Sequence, residues 1–355
     1  MRTLMNSLLK YVGAASASKA VFQIAVKAIT SLLLGVLSLP ADAHVKWFVT
    51  DEGAFASAHF ALDSISMLVV SGAVFFLLLA SWAEFSNRHG TRQLLYAPWL
   101  SSHYIYALIK AAVLILLLGN IIQGHFIAPN IPIAHHAQTE HLAQGLLIIV
   151  LVFNGLLFAL ATLLLCVALM VMYGLDIAID YVFELAAIAL AVGLCCPPNT
   201  VRTGILRSLQ LHSSPAYCQQ YALTALRFGL GIQLCVLTVH DKLLHPGLAL
   251  QFLQDYPYFN FMRLAGLTSF SDLHFVLGAG LAELCFGLLL VTNIAQRLAS
   301  SCICFFFLLS GVVLGPAELL GHIPIFAVAI ILLINPAPAL NLLKKPPFEI
   351  KNVQA

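Results

Sequence analysis

Stretches of apolar sequence too long for the core of a soluble domain set the first limit on what this chain can fold into. Positions 143–172 hold no Asp, Glu, Lys, Arg or His, and comparable runs recur along most of the 355 residues. A helix rises 1.5 Å per residue, so about 20 apolar residues cross the hydrocarbon core of a bilayer. Hydrophobic residues make up 61% of the chain and charged residues 9%, against roughly 45–50% and 25% in a soluble domain. Seventeen basic and fifteen acidic side chains cannot clothe a soluble protein of this size. The chain therefore reads as an integral membrane protein. Its runs are continuously apolar and lack the alternation of a membrane β-barrel, which leaves an all-α, polytopic fold of the inner-membrane type. A net charge of +2 gives no footing for nucleic acid; lipid is the expected surroundings.

About eight spans are expected: Leu62 to Ala80, Tyr104 to Ile122, Ala143 to Met172, Ile177 to Leu194, Tyr221 to Val239, Leu273 to Val291, Ala299 to Leu314, and a short last one, Ile323 to Ile334. The third is long enough to tilt or to extend beyond the bilayer. Ahead of them, Arg2, Lys10, Lys19 and Lys27 precede an apolar run, Ala28 to Leu39, and then Ala41-Asp42-Ala43. That order matches a secretory signal peptide, residues 1–43, or a retained signal anchor. The Cys195-Cys196-Pro197-Pro198 break, where proline cannot continue a helix, divides the remainder. Residues 44–196 and 220–343 become two tandem four-helix bundles, joined by 197–219 and followed by a tail, 344–355.

Loop charges orient the first spans. Arg88 and Arg92 place the loop Asn87 to Ser101 in the cytoplasm, and the loop Gly124 to Thr139, free of lysine and arginine, outside. Strict alternation of eight spans then puts Arg202, Arg207 and the tail lysines 344, 345 and 351 outside, whereas the charge rule wants them inside, with Arg297. A re-entrant crossing between residues 143 and 196, or a count wrong by one, would reconcile the two. The segments Gly174 to Tyr181 and Gly315 to His322 share a faint likeness, each with ionisable residues four apart before an apolar run. Duplication and coincidence of composition both account for it.

The second half carries Arg227-Phe-Gly-Leu-Gly-Ile in its first helix and His240-Asp241-Lys242-Leu-Leu-His245-Pro246 at that helix's end. Phe275 to Glu283 and Gly287-Leu-Leu-Leu follow in the second, and Gly321-His322-Ile-Pro324 opens the fourth. On these residues, 222–343 resembles the DoxX-like family of four-helix membrane proteins. The sequence departs from the family's pattern at His240-Asp241, ahead of the lysine, and the first half lacks a comparable arginine–glycine opening. The resemblance implies a link to thiosulfate:quinone oxidoreductases or to membrane complexes handling thiol and oxidative stress.

Ionised groups inside spans are costly and end up paired or functional. Glu283 lies mid-helix, and Arg227 near the start of the preceding span; they are expected either to pair or to clasp a quinone head group. His240, Asp241 and Lys242 form a compact cluster in which Asp241 and His245, four apart, share a helix face. Glu318 and His322 repeat that spacing, and the two sets on one side suit proton transfer; polar caps at a membrane interface are the plainer account. Asp176, Asp180 and Glu184 rise at intervals of four into the fourth expected span, as a proton or cation path or a shallow wet segment. His125, His135, His136 and His141 crowd the external loop, and cleavage after Ala43 would make His44 an N-terminal bidentate nitrogen ligand for copper. Their spacing fits no standard zinc framework, and adventitious surface binding is the plainer account. The vicinal Cys195 and Cys196 suit thiol exchange only with a cation close by.

The expected function is that of a membrane component of a quinone-linked or thiol-linked redox system, with electrons supplied by a periplasmic or membrane partner, since no flavin, dinucleotide or iron–sulfur motif occurs. Copper or other metal handling and a non-catalytic assembly role are the alternatives.

Overall fold

The computed structural model describes residues 49, 55, 57–87, 100–128, 131, 137–197, 200–209 and 214–335, and among them there are helices and turns but no β-strand. The helices are α1 (Ser64–Asn87), α2 (Ser102–Gln123), α3 (Ala137–Phe153), α4 (Gly155–Met172), the single turn α5 (Leu175–Ala178), α6 (Val182–Cys195), α7 (Thr200–Ser208) and α8 (Pro215–Thr238). A π-helical segment, Val239–Leu244, prolongs α8. Then come α9 (Gly247–Asp255), the short α10 (Phe261–Leu264), α11 (Asp272–Thr292), α12 (Gln296–Leu314) and α13 (Pro316–Ile334). The expected signal segment lies outside the described residues.

Among the described residues, six helices are long and apolar enough to cross a membrane: α1, α2, α4, α8 with its π-helical extension, α11 and α12. This makes the chain a multi-pass membrane protein. The expected count of eight spans needs correcting in detail. The third is no single span. Asn154 adopts an extended backbone, and its side chain accepts the N–H groups of Leu156 and Leu157, both at 3.1 Å, starting a new helix. The Tyr173 hydroxyl then donates to Glu140. Thirty-three residues of unbroken helix would separate those two by about 50 Å, so α3 and α4 fold back on each other as a hairpin. The fourth expected span starts later, at Val182, and has 14 helical residues. α13 contains the expected core Ile323 to Ile334, starts at Pro316 after Gly315 (φ 98°), and carries Pro324 in its interior.

The two halves share one core instead of enclosing two. Ile105, Ile109 and Val192 of the first half and Leu226, Leu290 and Ile331 of the second belong to the same buried cluster. α8 packs on both α6 and α11, and α13 packs on α2. Glycine makes the closest approaches. A Cβ on Gly229 would lie 2.1 Å from the Ala187 Cβ of α6; one on Gly287 of α11 would lie 2.6 Å from Cys235 Sγ and 2.8 Å from the Gly231 carbonyl of α8. Small residues let backbones meet where no water is available to drive helices together.

Cross-helix bonds sort the helix ends into two layers. In one, the Ser102 hydroxyl meets the Gln219 Oε1 at 3.1 Å, the Lys110 ammonium donates to the Val152 carbonyl at 2.7 Å, and the Gln296 amide donates to the Leu332 carbonyl at 2.9 Å. Leu100 N–H donates to Asn335 Oδ1 at 2.9 Å in the same layer. It gathers the starts of α2, α4, α8 and α12 with the ends of α3, α6 and α13. In the other layer, His274 at the start of α11 meets Asp63 just before α1, and Glu140 near the start of α3 meets Tyr173 just after α4.

Candidate functional site

Two polar clusters occupy the second layer. The first is built where α8 loosens into the π-helical segment. Thr238 and Lys242, one turn apart, both reach Glu283 of α11: the ammonium pairs with one carboxylate oxygen and the Thr238 hydroxyl donates to the other at 3.1 Å. Gly280 permits this approach, since a Cβ there would sit 3.1 Å from the Leu243 side chain. Asp241 pairs with its neighbour, with its Oδ1 2.6 Å from His240 Nδ1, instead of with His245 as expected. The helix ends at Leu244, and His245 leaves on a non-helical backbone (φ −124°, ψ 71°), so the four-residue spacing no longer places it on the Asp241 face. Its ring packs instead edge-on against that of His240, centroids 5.4 Å apart.

Arg227 does not pair with Glu283. Its guanidinium donates to the carbonyls of Leu290 and, at 2.8 Å, Val291, in the last turn of α11. A cation there satisfies carbonyls that have no partner within the helix and faces the negative end of its dipole. Arg227 is 1% exposed, and its guanidinium is turned to these carbonyls. Arg227 and Glu283 thus have separate partners instead of forming the expected pair.

The second cluster surrounds a cavity of about 30 Å³ bounded by α2, α6, α8 and α13. That is room for about two waters, each needing some 10–15 Å³. Asp180, Glu184 and His322 line it, with Leu116, Leu237 and Ile325 among its apolar walls. The Gly174 and Gly315 segments, faintly alike in sequence, thus meet across one space. Both open on a left-handed glycine, φ 82° and 98°, a conformation that suits glycine alone. Asp176, expected on the same face, is exposed: α5 stops at Ala178 and a turn intervenes before α6. The turn itself is held by α8. The buried Gln233 amide donates to the Ile179 carbonyl at 2.9 Å and accepts the Glu184 N–H at 3.2 Å, so a residue from another helix caps α6. The Glu184 carboxyl has no hydrogen-bond or ion-pair partner among the described residues, and it also borders a smaller apolar cavity of about 10 Å³. His322 stacks on Phe307, centroids 4.5 Å apart. Glu318 belongs to α13, but its side chain lies outside the described residues.

Of the expected metal ligands, His44, His135 and His136 lie outside the described residues. His125 is half-buried in the turn after α2, and His141 is exposed on α3. No group of three or more His, Cys, Asp or Glu able to hold a metal forms among the described residues. Cys195 and Cys196 are both buried, and burial pushes the Cys196 thiol up against the smaller downward pull of Arg202. A thiol held neutral and shielded is a poor nucleophile.

Sequence reasoning did not single out the tie between α1 and α11. His274 Nε2 lies 2.8 Å from Asp63 Oδ2, while Ser271 and His274 form a reciprocal cap at the start of α11. The Ser66 N–H and then His274 hold the Asp63 carboxyl down at about 2, so Asp63 stays charged through the neutral range. The signal was present: Ser271 three residues before a histidine, at the start of an apolar run.

No family model matches this chain, and comparison with curated proteins and with solved structures finds no match either.

Proposed function

We propose that this chain is a proton-handling component of an inner-membrane redox system, with the quinone and the electron-transfer groups carried by a partner. One observation carries the reading: Asp180, Glu184 and His322 share a water-sized cavity between four helices, and the Glu184 carboxyl has no described partner. Glu184 is half-buried, and an ionised carboxylate set among apolar walls without a counter-charge is costly in a membrane. A carboxyl in that position therefore does its work by giving and taking a proton. The His322 imidazole lining the same cavity is a matched proton donor or acceptor. The resemblance of residues 222–343 to DoxX-like proteins supports the redox setting.

Lys242, His240 and Asp241 follow Leu237 at the end of α8, in the same layer as this cavity, with Glu283 of α11 paired to Lys242. The basic residues Arg202, Arg207 and Arg297 lie in the opposite layer, and the chain passes to Arg88, Arg92 and the tail lysines from the α1 and α13 ends in that layer. By the charge rule that layer faces the cytoplasm. The cavity then opens from the external half of the protein.

The experiment is proton uptake in proteoliposomes holding the protein and its redox partner, followed with a trapped pH dye while a quinol is oxidised. Glu184→Gln and His322→Gln are each expected to lower proton movement at least tenfold, within the range that a positioned acid or base contributes, with the fold retained. Unchanged proton movement in both variants overturns the proposal and leaves the assembly role.

A further inference from the structure

Where α2 ends and α3 begins, five polar atoms are shielded from solvent and have no hydrogen-bond partner: the oxygens Asn120 Oδ1, Gln123 Oε1, Glu140 Oε2 and Gln144 Oε1, and the ring nitrogen His125 Nδ1. Buried polar groups are nearly always satisfied, so four acceptors at one helix junction, against a single ring nitrogen, call for a further donor or a positive charge. The amides cannot be turned to relieve them. Asn120 Nδ2 donates to the Ile127 carbonyl at 2.9 Å, and Gln144 Nε2 donates to the carbonyls of His125, at 2.9 Å, and Phe126. Reversing either amide would set oxygen against carbonyl oxygen. Both amides thus grip the same 125–127 turn from two helices, with their oxygens left over.

Glu140 stands one turn before Gln144 on the same face of α3, and Gln123 one turn after Asn120 on α2. One Glu140 oxygen takes the Tyr173 hydroxyl; the other is the charged member of the set. Asn120, Glu140 and Gln144 are 1%, 4% and 0% exposed, deep enough that leaving them unmatched costs free energy.

We infer that this cluster is a binding site for a hard monovalent cation of sodium size. A set dominated by carboxylate and amide oxygens, with one imidazole and no sulfur, selects a hard ion over copper or zinc. Charge selects the valence. One carboxylate neutralises one positive charge, whereas a divalent ion would leave a net charge buried. The bound ion would fix the 125–127 turn, and Ile127 and Ala128 beside it line the cavity that holds Asp180, Glu184 and His322. The cation site stands independently of the proton-handling proposal.

The test is thermal unfolding of the full-length protein in detergent, titrated with sodium chloride against choline chloride at constant ionic strength. Sodium is expected to raise the midpoint saturably, and Glu140→Gln to abolish the response. Gln123 makes no other described bond, so Gln123→Leu is expected to keep the choline midpoint and weaken apparent sodium affinity about tenfold or more, as loss of ligand support does. Equal midpoints for wild type in the two salts overturn the inference, whether or not either variant folds. So does a sodium response that both variants retain in full.

Discussion

At the scale of single residues, the buried charges are matched by groups that a sequence displays poorly. Arg227, Glu283 and Lys242 all stand out as ionisable positions in or at the ends of apolar runs. Their partners follow from helix rotation and depth. Arg227 meets backbone carbonyls at the end of α11, two turns beyond Glu283, while Glu283 faces Lys242 and Thr238. Carbonyls leave no mark in a residue string, so the arginine's nearest visible acid looked like its partner. The two arrangements differ measurably. In double-mutant cycles on thermal stability, Lys242→Met with Glu283→Gln is expected to couple by about 0.5–3 kcal/mol, and Arg227→Met with Glu283→Gln to add within about 0.5 kcal/mol. Arg227→Met alone is expected to cost about 1–3 kcal/mol, since it strips a partner from buried carbonyls. Strong coupling between Arg227 and Glu283 would restore the direct ion pair.

At the scale of elements, the apolar runs located most of the helices but not where two of them turn. Residues 143–172 are apolar enough to read as one tilted span, and Asn154-Gly155 is the one Asn-Gly pair within them. Asparagine caps helices because its oxygen replaces the missing carbonyls of a first turn, so the hairpin was legible in that one pair. Glycine poses the converse difficulty, because its role depends on what lies opposite. Gly287 abuts the α8 backbone, whereas Gly72 on α1 has nothing within 4 Å of a built Cβ. Both lie mid-helix. Gly287→Ala is expected to destabilise by about 1–3 kcal/mol, the usual cost of overpacking, and Gly72→Ala to be neutral or to gain up to about 1 kcal/mol of helix propensity. Chemical or thermal unfolding of the two variants side by side checks the seam between α8 and α11; equal effects would mean that α11 and α8 do not approach there.

At the scale of the whole molecule, the hairpin removes the conflict between counting and charge. Membrane class was plain from composition, because too few charged groups exist to face water. Sidedness was not, since one miscounted turn inverts every later loop. With α3 and α4 running in opposite directions, the ends of α1, α3, α6 and α13 lie in one layer with the starts of α2, α4, α8 and α12. The arginines of α7 and α12 then fall together, as the charge rule asks. Lys242 and Arg263 in the other layer are ion-paired, with Glu283 and Asp272, and paired cations weigh little in orientation. Single cysteines give the decisive observation, because the eight native ones are buried or half-buried and none is exposed. Introduced at the exposed positions Gln138 and Ser269, a thiol is expected to react with a membrane-impermeant maleimide added outside intact cells. At Ser208 it is expected to react only after the membrane is opened. Labelling of Ser208 and Ser269 from the same side would make α11 and α8 run in a sense that the Glu283–Lys242 pair and the Arg227 contacts cannot both accommodate, and the layered arrangement would fail with it.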